Sequence, residues 1–192
     1  DNPVQPAFFG NRIVTFAPNT GTTGTGQGVG PAWTSNGTVS HPTPSSTSPA
    51  VSNQMKRTRY ANVVTTTNQQ LGPRFNVASE RQFWRGNAAG LGGFFFVARF
   101  VVDLWAASTC RIFAGLTGAS ATASVCISDT VVNDTCGLWH DTTDSNAVFN
   151  FVTRNAATTT KQTISLSNNI AAGNSYDFYM YAMPNGSSIS WR

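Results

Sequence analysis

The chain has 192 residues and a formal net charge of +4, and only 10% of its residues are charged. Hydrophobic residues make up 40% of it, which is enough for a folded core, but it contains only one glutamate and two lysines. Because helical surfaces are built largely from those two residue types, the composition excludes a mainly helical protein and predicts an all-β fold with a polar surface of Thr, Ser, Asn and Gly.

The N-terminal part differs in composition from the remainder. No Asp, Glu, Lys or Arg lies between Ile13 and Met55, and this stretch is rich in Gly, Thr, Pro and Ser, so it cannot bury enough apolar surface to fold alone. It is either a disordered linker or an extended arm laid on a partner surface. We favour the arm, because a free linker would not need its apolar side chains, which are Phe8, Phe9, Ile13, Val14, Phe16 and Trp33.

From residue 56 onward, short apolar-rich runs alternate with turn residues, which is the pattern of a sandwich or barrel. We predict strands at Arg57–Val64, Gly93–Val102, Arg111–Leu116, Ser124–Ile127, Ala147–Thr153, Gln162–Leu166, Tyr176–Met183 and Ser188–Trp191. The sequence therefore predicts an extended arm over residues 1–55, followed by an antiparallel, jelly-roll-like β-sandwich over residues 56–192.

Glycine and asparagine mark the connections between these strands. Asn185 and Gly186 form the pair that is typical of a tight hairpin, here between the last two strands. The glycine-rich run Gly90–Gly93 precedes the longest apolar stretch and predicts a tight turn at the start of that strand.

Four aspartates and His140 crowd into the segment Asp129–Asp144. An ordinary turn-rich loop accounts for them, since Asp and Asn cap turns with their own side chains; a calcium site or ligand contacts are the alternatives. No nucleophile motif accompanies His140, and the chain has no phosphate-binding or dinucleotide fingerprint. We therefore predict no catalytic residue, no metal and no cofactor.

The three cysteines, Cys110, Cys126 and Cys136, cannot all pair within one chain. One disulfide with a free thiol is an alternative, but we favour three reduced thiols. No Cys-x-x-Cys spacing points to zinc. This use of cysteine fits folding in a reducing cytoplasm.

Aromatic side chains beside hydrogen-bonding groups are the best binding candidates, because such pairs are favoured at interfaces. The predicted ligand contacts, to a carbohydrate, a lipopolysaccharide headgroup or a neighbouring subunit, are Trp84, Arg85, Trp105, Trp139, His140 and Asp141. The alternative is that these tryptophans simply close the ends of a sandwich.

Two classes of partner are not indicated. The densest basic group is Lys56, Arg57 and Arg59, which is not the clustered patch expected of a nucleic-acid footprint. No apolar run approaches the roughly 20 residues that cross a bilayer. We therefore predict neither nucleic-acid binding nor membrane insertion. The N-terminus has no basic and apolar signal segment, so the chain as given does not indicate export by an ordinary secretion signal. It starts abruptly and its last residues have a mid-strand pattern, so a piece of a longer protein is an alternative to a complete chain.

A family resemblance is carried by the segments Phe8–Arg12, Arg57–Tyr60, Trp84–Phe100 and Arg111–Leu116. In the third, a Trp-Arg-Gly step leads into a glycine-rich turn and then a phenylalanine-rich strand that ends in Arg99 and Phe100. The order and spacing resemble the C-terminal region of tailed-bacteriophage tail-fibre and minor tail proteins. The resemblance implies a homotrimeric, β-rich virion module that is made in the host cytoplasm, joins other tail or capsid proteins and contacts a host surface glycan or envelope protein. It implies no catalytic residue.

Two arginines, Arg99 and Arg111, interrupt or flank apolar strands. A buried arginine is costly unless it is paired. We expect the partner to be the Asp103 carboxylate or a group at a trimer axis.

Three functions follow as hypotheses. The leading one is a non-catalytic tail-fibre module for attachment to the host cell surface, which the tryptophans favour. The alternative is a structural virion protein, such as a capsid decoration, collar or shell jelly roll, whose arm ties subunits together. The third is a polysaccharide depolymerase, which requires two carboxylates about 5 Å or about 6.5–9.5 Å apart in one cleft.

Overall fold

Two antiparallel sheets, packed against each other through aromatic side chains, form the main body of the protein. The computed structural model describes residues 25–26, 33–36, 38–40, 44–48, 51–54, 59–61, 72–75, 93–102, 110–118, 128–155 and 158–192. The elements in chain order are β1 (Thr25–Gly26), β2 (Trp33–Asn36), β3 (Thr38–Ser40), α1 (Val51–Gln54), β4 (Arg59–Ala61), β5 (Gly72–Phe75), β6 (Phe94–Val101), β7 (Ile112–Thr117), β8 (Thr135–His140), β9 (Val148–Asn155), β10 (Thr158–Ser165), β11 (Ser175–Ala182) and β12 (Ile189–Trp191).

The larger sheet has the strand order β10-β9-β8-β7, so consecutive strands are neighbours. The smaller of the two sheets has the order β12-β11-β6, with β11 in the middle. Among the described strands, the chain passes between these sheets after β6 and again after β10. All pairs are antiparallel, and the predicted all-β antiparallel sandwich is therefore confirmed.

The core lies between the two sheets and is mainly aromatic. Its buried members are Phe94, Leu138, Phe149, Phe151, Ile170, Phe178, Met180 and Ala182. The ring of Phe151 on the larger sheet stacks on Trp191 of the smaller sheet at a centroid distance of 5.4 Å and lies 6.3 Å from Phe178. Each such side chain contributes about 1.5–3 kcal/mol on burial, so the period-2 alternation of β9 and β11 decides which faces meet.

A thiol also joins the two sheets. Cys136 of β8 donates to the Met180 sulfur of β11 at 3.2 Å, and burial raises the pKa of the Cys136 thiol to about 12. Cys110 is a second free thiol, whereas Cys126 lies outside the described residues. Cys136 therefore packs as a small hydrophobe.

Two smaller sheets pair the predicted arm with residues beyond it. β2 lies between β1 and β5, and β3 pairs with β4, in both cases antiparallel. Residues of the predicted arm are thus hydrogen-bonded to residues 59–61 and 72–75. The boundary after residue 55 stays a prediction.

The final hairpin is confirmed, but its turn is built differently from the predicted one. The connection between β11 and β12 runs from Met183 to residue 188, and Gly186 donates its N–H to the Met183 carbonyl at 2.9 Å. Asn185 has φ 50°, so Pro184 and Asn185 are the central residues. Pro followed by a residue with positive φ is typical of a type II turn.

One central strand, β8, was not predicted. Its residues fall inside the segment interpreted as a turn-rich loop, because aspartates flank them and they do not alternate between apolar and polar. The structure gives the reason: residues 137–140 are all buried, on both faces of the sheet, so no polar face marks the strand. The predicted strand Ser124–Ile127 lies outside the described residues. Within the described part of the chain, no helix is long and apolar enough to cross a membrane.

Candidate functional site

The predicted ligand residue Trp139 lies on the outer face of the larger sheet, yet it is fully buried. It packs with Val131 and Val152, and Phe113 contributes a partly buried ring at a centroid distance of 6.1 Å. Val131 belongs to residues 128–134, which precede β8, and its contact with Trp139 places these residues over the outer face of the sheet. We call residues 128–134 the covering segment. We call Phe113, Val131, Trp139 and Val152, together with Asp141 and Lys161, the sealed face.

Asp141 closes one end of the sealed face and is also fully buried. One carboxylate oxygen accepts hydrogen bonds from Trp139 Nε1 at 3.0 Å and from Lys161 Nζ. The other oxygen accepts from the backbone N–H of Thr143 at 3.0 Å and from its hydroxyl at 2.6 Å. A buried charge is tolerated when it is paired and hydrogen-bonded in this way.

The charge of Asp141 is therefore stabilised. Burial on its own raises the pKa of this carboxyl, but the hydrogen bonds from Lys161, Thr143 and Trp139 outweigh it and hold the pKa below its usual range. Lys161 comes from the edge strand β10 and keeps 33% of its side chain exposed. The group is a structural ion pair that ties β10 to the end of β8.

A second carboxylate, Asp129, fixes the covering segment. It accepts from Arg111 Nε at 2.7 Å, and from the backbone N–H and hydroxyl of Thr142 at 3.0 and 2.7 Å. These bonds hold the pKa of Asp129 well below its usual range. Asp129 is thus a carboxylate partner of Arg111 that the sequence did not predict. The predicted partner Asp103 lies outside the described residues, and a group at a trimer axis stays a prediction.

His140 points to the opposite face of β8 from Trp139. Its Nδ1 lies 3.0 Å from the Val148 carbonyl, and its ring meets Phe149 edge-on at a centroid distance of 6.1 Å. The residue is fully buried. Neighbours in sequence are therefore separated by the sheet, as the period of a strand requires.

The six predicted ligand residues divide into two groups. Trp84, Arg85 and Trp105 lie outside the described residues, and their ligand contacts stay predictions. Trp139 and Asp141 are brought together by a direct hydrogen bond, while His140 lies across the sheet from them. All three are enclosed by the protein, so their contacts in this conformation are internal.

The outer face of the smaller sheet is open instead. Strand alternation and register place the following side chains on it: Phe95, Val97, Arg99 and Val101 of β6, Ser175, Asp177, Tyr179 and Tyr181 of β11, and Ser190 and Arg192 at β12. We call these residues the tyrosine face. Val97 is 47% exposed and Tyr179 is 37% exposed, which makes them two of the four large hydrophobic residues exposed in the described structure.

A bidentate ion pair lies beside these apolar groups. Arg99 donates through Nε and one Nη to the two oxygens of Asp177, each at 2.6 Å. The pair raises the pKa of Arg99 and lowers that of Asp177. Arg99 is 64% exposed, and its ion-pair partner in the described structure is Asp177 of the neighbouring strand. A contact with a group at a trimer axis stays a prediction.

Sequence reasoning missed the tyrosine face as a site, although part of its signal was visible. Alternation along β11 already separates Tyr179 and Tyr181 from the core residues Phe178 and Met180. The alternation does not reveal the strand register, which places Asp177 opposite Arg99 although the two are 78 residues apart in the chain.

No group of three or more His, Cys, Asp or Glu side chains able to hold a metal ion occurs in the described ranges. Comparison with known proteins finds no matching family model, no matching curated protein and no matching solved structure.

Proposed function

We propose that this chain is a non-catalytic attachment module of a bacteriophage tail fibre, which holds the virion to the surface of its host cell. The tyrosine face carries the proposal, because it exposes an aromatic ring and an aliphatic side chain next to a fixed ion pair. Binding surfaces are enriched in aromatic residues and arginine. The resemblance to tail-fibre and minor tail proteins supports the location in the virion.

Three of the described carboxylates favour binding over glycan cleavage. Asp129, Asp141 and Asp177 each form an ion pair, and each has a lowered pKa. A general acid in glycoside hydrolysis needs the opposite shift, since it must be protonated near neutral pH. These three groups are therefore suited to structure and recognition.

A structural virion protein is the second candidate, and strand β10 favours it. β10 lies at the edge of the larger sheet, and most of its residues are exposed. Its one charged side chain, Lys161, is bonded to Asp141 and does not guard the edge. Unprotected edges invite pairing with another chain. A shell or collar would use such an edge between subunits.

Two measurements test the proposal together. Light scattering over a range of concentrations should give a trimer, and the labelled chain should bind intact bacterial cells without releasing sugar from them. A large closed assembly that binds no cells would favour the structural alternative. Release of oligosaccharide would favour the depolymerase.

A further inference from the structure

The centre of the tyrosine face is a row of three side chains that crosses all three strands. Tyr179 of β11 lies opposite Val97 of β6, and its backbone exchanges two hydrogen bonds with Arg192, at 2.8 and 2.9 Å. The Arg99–Asp177 pair is the next row on the same face, about 7 Å along the strands. An exposed ring and a polar pair are thus about one sugar unit apart.

The polar pair offers donors and acceptors side by side. Arg99 uses Nε and one Nη toward Asp177, so its second Nη still has N–H groups for a ligand. Each carboxylate oxygen of Asp177 accepts one of these bonds and retains acceptor capacity, and 34% of the side chain is exposed. Neighbouring hydroxyls of a sugar are themselves both donors and acceptors, and so they complement this arrangement.

The exposed apolar area of the tyrosine face is small, and this favours a small ligand over a protein partner. Only Val97 and Tyr179 of this face are large hydrophobic residues that count as exposed in the described structure, whereas a stable protein interface buries about 800 Å² on each partner. A protein partner would bury a cluster of apolar and aromatic side chains at the centre of its interface, and two exposed side chains make a smaller cluster than that. One pyranose ring needs about the area of one aromatic ring.

We propose that the tyrosine face binds a glycan, with one pyranose ring stacked on Tyr179 and two adjacent hydroxyls of that sugar bonded to Arg99 and Asp177. The inference rests on the proposed attachment function and names the chemical class of its ligand. The ion pair is preformed, so the site loses little side-chain freedom when the sugar binds.

The test uses the full chain and a panel of Gram-negative and Gram-positive cells as the probe. Before the chain is added, the cells are treated and washed, either with periodate, which cleaves the carbon–carbon bond between adjacent hydroxyls, or with a protease. We expect periodate to abolish binding and the protease to leave it unchanged. Loss after protease alone overturns the glycan while leaving attachment intact, and binding to no cell in the panel overturns attachment as well.

Variants then locate the site. Tyr179→Val, which keeps a residue favoured in strands, should weaken binding at least about tenfold, and Tyr179→Phe should retain most of it because the ring remains. Arg99→Ala and Asp177→Ala should each weaken it by a similar factor. Val132→Thr, an exposed position outside the face, is the matched control. Unchanged binding by folded Tyr179→Val would show that the glycan binds elsewhere and would overturn this inference.

Discussion

The outer faces of the two sheets carry similar residues but have opposite environments. Each has an aromatic residue near a lysine or arginine that pairs with an aspartate: Trp139 with Lys161 and Asp141, and Tyr179 with Arg99 and Asp177. The first set is covered by the segment that contains Val131, while the second faces solvent. Residue type alone therefore does not distinguish a buried structural cluster from an exposed surface, because a covering segment decides which of the two forms.

The largest expected effect comes from removing the ring of the sealed face. Trp139→Ala should lower the free energy of unfolding by about 3–5 kcal/mol, because it empties a buried site and leaves Asp141 without one donor. Tyr179→Val should lower it by less than about 1 kcal/mol. Urea titration of both variants measures the difference. Equal losses would mean that the two faces do not differ as described.

Breaking the ion pair of the sealed face should lower the free energy of unfolding more than breaking that of the tyrosine face. Lys161→Met leaves the fully buried Asp141 without its counter-ion and should cost about 3 kcal/mol, near the lower end for such a loss because the lysine is itself 33% exposed. Arg99→Met, the control, should cost much less, since that pair is in contact with water. Thermal unfolding at one pH compares them, and a costlier Arg99→Met would contradict the contrast.

Two facing glycines on the outer side of the larger sheet allow β7 and β8 to lie very close together. A Cβ at Gly137 would be 2.5 Å from the Ala114 carbonyl oxygen and 2.7 Å from the Cα of Gly115, so Gly137→Ala must move backbone. We expect a loss of about 1–3 kcal/mol. Gly118→Ala is the control, because its nearest neighbour would be 3.5 Å away. If both variants unfold at the same urea concentration, the close approach of β7 and β8 does not contribute to stability.

The smallest expected effect is on how the free energy of unfolding changes at acidic pH. In the folded state the pKa of Asp141 is lowered below the unfolded value of about 3.8, so its contribution to stability is present above that pH and is lost as the pH falls through the folded-state pKa. Asp141→Asn should remove up to about 1.4 kcal/mol per pH unit from the slope of stability below pH about 4.

The same measurement sharpens the contrast between the faces. Asp177→Asn should change the acid slope less than Asp141→Asn does, because water screens the exposed pair with Arg99. Chemical denaturation at several pH values between about 2 and 6 gives both slopes. A larger change for Asp177→Asn would place the main acid-sensitive group on the open face.

Part of this architecture could be predicted because it depends on local pattern. The alternation of β9 and β11 places Phe149 and Phe178 in the core, and Asn185 marks the last hairpin. β8 could not be predicted in this way, since a strand buried on both faces has no alternation. Local sequence pattern also could not predict the partners of Arg99 and Arg111. Asp177 and Asp129 are distant from them in sequence, and only the folded chain brings the charges together.

The all-β class and the alternation that separates core from surface are readable in the amino-acid sequence, since they follow from the scarcity of helix-forming charged residues and from a period of two. Which aromatic residues are exposed to solvent depends on the tertiary structure. Trp139 is enclosed because Asp129 holds the covering segment to Arg111 and Thr142, and Tyr179 is exposed because no described segment crosses its face. Such coverage depends on contacts between parts of the chain that no local pattern records.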